Sequence, residues 1–199
     1  MAKMRSGDRP AGSPRRRADA ERSVERIVDA ALDSLASNPD AGMADIARRA
    51  EVARATVYVH FPTREALIAE LTHRGVSEVA QAIEAADAKR GDPTEALKRV
   101  VSQAWRTLGR YHALVAINAE LPEAELHDRH HLALSMLEPL IKRGQRAGVF
   151  RRDVPAAWHL SMLLALVHAA SAELRADRMA LEEVEPALIA TVVGALAGR

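Results

Sequence analysis

Apolar side chains recur along this chain at helical spacing almost from end to end. Val24, Ile27, Val28, Ala31 and Leu35 form one stripe of a first helix beginning near Ala20, and Asn38-Pro39-Asp40 stops it. Two much shorter periodic segments follow. One runs from Met43 to Ala50 with Ile46 and Ala50 inward, and the other from Arg54 to about Phe61, closed by Pro62. Between them Glu51-Val52-Ala53 makes a turn, with Val52 as its buried plug. Thr63 then caps a fourth helix, and Glu65 in its first turn complements the dipole. Leu67, Ile68, Leu71, Val79 and Ile83 carry that helix to about Ala88.

After Gly91-Asp92-Pro93 the pattern restarts near Thr94, with Leu97, Val100, Val101, Trp105 and Leu108 on one face. A less regular stretch surrounds Leu121-Pro122. Leu132, Met136, Leu137 and Leu140 predict a helix ending near Gly148, kinked by Pro139. Asp153-Val154-Pro155 opens a strongly apolar helix to about Leu174, and a last helix spans about Leu181 to Ala197. The expected fold is all-α with about nine helices. It divides into an arm over 1–19, a three-helix headpiece over 20–62 and a helical body over 63–199.

Composition narrows the classes. The 199 residues include no cysteine, which excludes disulfide and thiol chemistry. No unbroken run of about 18 apolar residues is present, so no membrane span is expected, and the N-terminus lacks the apolar core of a secretory signal. A cytoplasmic location is the expectation. The net charge of +1 conceals an asymmetry, because residues 1–22 carry seven basic side chains against three acids. A basic arm rich in Gly, Pro and Ser is expected to be disordered and to suit phosphate.

Two short helices joined by a tight turn are how a helix-turn-helix reads DNA, with the second helix in the major groove. The stretch DIARRAEVARATVYVHFPTREALI closely resembles the signature of the TetR family of one-component transcriptional regulators. The matching positions include Ile46-Ala47, Val52, Thr56-Val57-Tyr58, His60-Phe61 and Arg64 to Leu67, within about residues 22–70. The resemblance implies a DNA-binding headpiece joined by the fourth helix to a body that binds a ligand and dimerises. It implies that Thr56, Tyr58 and Arg64 touch phosphates and that Arg54, Ala55 and His60 lie at or near base edges; Met43 and Ala44 open the second helix beside them. Arg54 has the geometry for guanine O6 and N7, and the Ala55 methyl for a thymine methyl. His60 could equally pack between helices three and four, Tyr58 less readily, and Phe61 belongs to the core. The chain departs from the family pattern in having Met43 for Thr, Glu51 for Gly, Ala53 for Ser and Ala55 for Gly.

In the body, the scarce large side chains Trp105, Tyr111, Met136, Phe150, Trp158 and Met162 are candidates to line an effector cavity, with Gln103 and Asn118 as polar anchors. Each could instead simply fill the core. His127 and His131, four apart within Glu123–His131, are the one metal-like spacing, but a solvated loop explains them as well and no metal or cofactor is expected. His159 and His168 read as core or interface residues. Leu163, Leu166, Ala170, Leu188, Val192 and Leu196, among many small residues, suggest a two-fold four-helix interface. The expected function is a homodimeric repressor released from a double-stranded operator by a small apolar or amphipathic effector. An enzyme is the first rival, although no nucleophile motif or phosphate loop is present. A DNA-binding or protein-partner module without a ligand is the second.

Overall fold

A computed structural model describes residues 14–118 and 121–198, without the side chains of 14–17, 123 and 127. Nine α-helices make up the described residues: α1 (Pro14–Ser37), α2 (Met43–Arg49), α3 (Arg54–His60), α4 (Arg64–Ala85), α5 (Pro93–Leu108), α6 (His112–Asn118), α7 (Glu123–Ala147), α8 (Ala156–Arg175) and α9 (Leu181–Leu196). A 3-10 turn, Gly109–Tyr111, joins α5 to α6. The all-α expectation holds. Helix α1 starts at Pro14, so residues 14–19 continue the helix instead of belonging to a disordered arm. The rest of the expected arm, 1–13, lies outside the described residues.

Local chemistry sets most of the boundaries. The Thr63 hydroxyl accepts from the Ala66 N–H at 3.1 Å, satisfying one of the free donors at the start of α4. The Asp92 carboxylate accepts from Thr94 and Glu95 N–H groups ahead of α5, with Pro93 at the first helical position. Gly148 ends α7 at φ 76°, a left-handed conformation that glycine adopts at no steric cost. Helix α7 also begins earlier than its apolar stripe announces, and Pro139 lies inside one continuous helix.

The chain folds around two cores that meet along α4. Ile27, Leu35, Ile46, Val57, Leu67 and Leu71 belong to the headpiece core, which also takes in Tyr111 and Leu114 from the segment after α5. Val76, Val79 and Ile83, farther along the same helix, belong to the body core with Trp105, Leu137, Phe150 and Val192. The headpiece core therefore reaches past the expected boundary at residue 62/63, and helix α4, which begins just beyond it, serves both parts. At Gly75 the Tyr111 ring lies so close that an added Cβ would stand 3.0 Å from it. The Tyr111 hydroxyl donates to Glu78 at 2.7 Å, and Asn118 donates to the Thr72 hydroxyl at 2.9 Å, so α6 and its lead-in are bonded to α4.

The far end of α4 is held differently. The cap residue Ala86 and the loop after it face two arginines. Arg99 of α5 donates to Ala86, Asp87 and Arg90 carbonyls, and Arg143 of α7 donates to Gly91 at 2.8 Å and Ala88 at 2.9 Å. Cationic donors at a helix C-terminus satisfy carbonyls that have no partner within the helix.

Candidate nucleic-acid interface and internal cavity

Helices α2 and α3 are seven residues each and bury only their inner positions, Met43, Ile46 and Ala47 on α2 and Val57 on α3. The turn between them places Glu51 at φ 54°, a left-handed conformation that favours glycine. Ala53 caps α3 without a side-chain hydrogen bond. Both departures from the family pattern therefore fall where the backbone feels them.

The outer face of α3 presents Arg54, Ala55, Tyr58 and Val59, all exposed, with Thr56 and His60 half-buried beside them. The Arg54 guanidinium lies 5.4 Å from the Tyr58 ring centroid, and its Nη2 donates to the Tyr58 hydroxyl at 3.2 Å. One helical turn apart, the two side chains hold each other in an extended pose above the helix. Val59 is 78% exposed, an apolar side chain with nothing of its own protein to cover it. The sequence reading missed Val59, although its spacing of four from Ala55 was the available signal.

Two expected contact residues are occupied elsewhere. Met43 is buried in the headpiece core, because the start of α2 turns its first side chain inward, while its neighbour Ala44 is exposed. Arg64 is half-buried and directs its guanidinium at the loop between α1 and α2, donating from Nε to the Ala41 carbonyl at 3.3 Å and from Nη2 to the Pro39 carbonyl. On α2, Arg48 and Arg49 are paired with Asp45 and Asp33.

The body encloses a cavity of about 80 Å³ between α4, α5, α6, α7 and α8. Twelve of its fourteen lining residues are apolar, and the other two are His130 and His168. None of the expected lining residues Trp105, Tyr111, Asn118, Met136, Trp158 and Met162 borders it. Trp105 and Tyr111 are fully committed to packing, and Asn118 is buried against Thr72. Met136 lines a separate surface groove beside Arg143, Met162 packs on the body core, and Trp158 is 62% exposed. Gln103 is exposed, and Phe150 is buried against Gly144. Scarcity marked these side chains out, but scarcity does not say which way a side chain faces.

His168 is half-buried, its Nε2 is buried without a hydrogen-bond partner, and its ring meets His130 edge-on at 5.8 Å between centroids. Burial, reinforced by the neighbouring His130, pushes the His168 imidazole down to about 4. Burial also lowers His112, which stacks on Trp105 at 4.7 Å. His159 is a core residue, as expected, with Nε2 at 3.4 Å from the Arg151 carbonyl. Among the described residues no group of three or more His, Asp or Glu could hold a metal ion, and His131 is exposed.

The expected interface residues are corrected by burial. Leu163, Leu188, Val192 and Leu196 point into the protomer's own core, and Leu166 and Ala170 pack against it. The opposite faces are open: Trp158, Ser161, Ala165 and Ala169 on α8, and Pro186, Ala187, Ala190 and Gly194 on α9. Helix α8, at mean hydropathy 1.2, is long and apolar enough by length and composition to cross a membrane, although His159, Ser161 and His168 interrupt its apolar run. Much of that apolar character faces outward.

Residues 27–71 match the model of the bacterial regulatory proteins, tetR family. The transcriptional repressor LfrR of Mycolicibacterium smegmatis is 33% identical over 151 residues, 75% of this chain and 77% of its own. This chain belongs to the TetR family. The transcriptional regulator NfxB of Pseudomonas aeruginosa is 29% identical over 72% of this chain and 78% of its own. A crystal structure of LfrR in complex with proflavine superposes with a TM-score of 0.71 at 26% identity, covering 91% of this chain and 99% of that one. The chain is a TetR-family transcriptional regulator with the family's DNA-binding headpiece, and its relatives are regulators, not enzymes.

Proposed function

We propose that this TetR-family regulator is a homodimeric repressor, acting in the cytoplasm, whose hold on an operator is released when a small, mainly apolar effector enters the body cavity. The observation that carries this reading is the course of α4. Its first turns, through Leu67, Ile68 and Leu71, pack in the headpiece core, while Val76, Val79 and Ile83 wall the cavity. Widening the cavity and moving the headpiece are then one event. At about 80 Å³ the cavity is far below the 300–1,000 Å³ of drug-sized sites, so an effector of that size binds only by spreading the helices. Unequal affinity for the closed and spread states is what shifts the equilibrium.

Within this reading Arg54 contacts base edges in the major groove, and Ala55 and Val59 meet thymine methyls. Tyr58 and Thr56 give hydroxyl donors to phosphates. Arg64 supports the reading head from behind through the α1–α2 loop. Trp158, Ala165, Ala169, Ala187 and Ala190 form the face that a second copy covers, and two-fold pairing sets two reading heads on half-sites about 34 Å apart.

The test is fluorescence anisotropy of the full-length protein on the DNA upstream of its own gene, titrated at several salt concentrations with Arg54→Ala and Tyr58→Phe alongside. Support is tight binding that outcompetes random DNA, falls steeply with salt and weakens in both variants. Affinity no better than for random DNA, upstream and in DNA selected from a random pool, would refute the reader assigned to α3.

A further inference from the structure

Resting on the proposed effector cavity, the chemistry of its wall allows the effector class to be narrowed. We propose that the effector is an uncharged, mainly apolar molecule with a single hydrogen-bonding group, and that this group docks on Nε2 of His168.

No Asp, Glu, Lys or Arg lines the cavity. A cation inside it finds no carboxylate and an anion finds no lysine or arginine, so either enters at a high cost of losing its water. The polar atoms of the wall come from two imidazoles on facing helices, His130 of α7 and His168 of α8. His130 Nδ1 lies 2.7 Å from the Leu126 carbonyl, which only accepts, so this nitrogen carries the proton and fixes the ring's tautomer.

His168 is different, because its buried Nε2 has no partner. Leaving a buried polar atom unsatisfied is unfavourable, and a ligand that supplies the missing bond recovers that loss on binding. A neutral imidazole nitrogen either donates or accepts according to tautomer, so a hydroxyl suits it in both states. The value of about 4 for His168 keeps this ring neutral at physiological pH, so it offers an acid no charge to pair with. The remaining lining, including Val79, Leu134, Leu137 and Leu163, receives an apolar body. The cavity of about 80 Å³ is smaller than the roughly 150 Å³ void that accepts a benzene ring, so even a single ring must displace the wall.

The experiment compares five probes on the full-length protein at pH 7.5: toluene, benzyl alcohol, benzoate and benzylamine at millimolar concentrations, and proflavine. Thermal shift and calorimetric titration are the readouts. Benzyl alcohol is expected to bind about fivefold more tightly than toluene, the equivalent of one modest hydrogen bond. The three ions are expected to give no shift. His168→Leu should bring benzyl alcohol down to the level of toluene, and His168→Gln, which keeps a polar group, should retain the preference. Binding of any ion as tight as that of the alcohol, or an alcohol preference that survives His168→Leu, would overturn the proposal while leaving the cavity as the effector site. If no probe, toluene included, shifts the protein, the cavity reading fails and this inference with it.

Discussion

Replacing Arg64 by Ala separates two roles that a single cation beside the reading helix could have. In the structure the guanidinium serves the loop between α1 and α2, donating to the Ala41 and Pro39 carbonyls. Hydrogen bonds from a charged donor contribute about 1.5–3 kcal/mol each when well made. One of these is long at 3.3 Å and the side chain is only half-buried, so about 2 kcal/mol for the pair is the reasonable sum. For a domain of this size that corresponds to a fall in Tm of about 4–8 °C. The assay is a circular-dichroism melt paired with operator binding at several salt concentrations. A phosphate contact, by contrast, would leave the melt intact and make the slope of log K against log salt shallower by about 0.9 per lost contact, or nearly 2 for a dimer. We expect the melt to fall and the slope to stay the same within about 0.5. Arg64→Lys should recover only part of the loss, because a point charge cannot serve both carbonyls. An unchanged Tm with a slope shallower by about 2 would refute the structural role.

Val59→Ala should weaken specific operator binding by about 1 kcal/mol, roughly fivefold, and leave binding to random DNA unchanged in a competition titration. Gly144→Ala should destabilise the protein despite the roughly 1 kcal/mol that alanine gains in a helix, because the new Cβ would fall 2.0 Å from the buried Phe150 ring. A net loss of about 1–3 kcal/mol by chemical denaturation is expected. Stability should also fall in mild acid. His168 titrates near 4 when folded and near 6.5 when unfolded, so the unfolded chain takes up the proton first. Stability is then intact above pH 6.5 and is lost progressively down to pH 4, by about 1–2 kcal/mol once solvent screening of this half-buried ring is allowed for; His168→Leu should flatten this part of the profile. Ala165→Glu, on the open face of α8, should yield a folded monomer in sedimentation and abolish tight operator binding.

The headpiece was legible in the sequence because its requirements are local. Thr63 caps, Val57 and Phe61 fill the small core, and Arg54, Ala55 and Tyr58 face out as helical spacing dictates. Met43 and Arg64 escaped because their surroundings come from other segments, the headpiece core for one and the Pro39–Ala41 carbonyls for the other. Helix α6 gave little signal, being seven residues long. The body's apolar positions are almost continuous in α8, where periodicity no longer separates inside from outside, and so Leu163, expected at the interface, lies in the protomer's own core. The cavity was hidden for a related reason. Its wall is ordinary Val and Leu, and its two polar members look in sequence like any histidine on an apolar helix.

Under the proposed function, the arginine clamp just beyond the end of α4 would make that helix a lever. The 22 residues of α4 span about 33 Å, and the carbonyls held by Arg99 and Arg143 would be its fulcrum at the end remote from the headpiece. Val79, in the cavity wall, lies seven residues or about 10 Å from that fulcrum, and Arg64 stands at the opposite tip. The mechanical advantage would be about three, so 1 Å of displacement at Val79 would become about 3 Å at the reading head. In the proposed two-fold dimer the two tips would move in opposite senses, changing a half-site separation of about 34 Å by about 6 Å. Loosening either arginine would let the whole helix translate instead of swing, and the same push would then arrive at the DNA end unamplified.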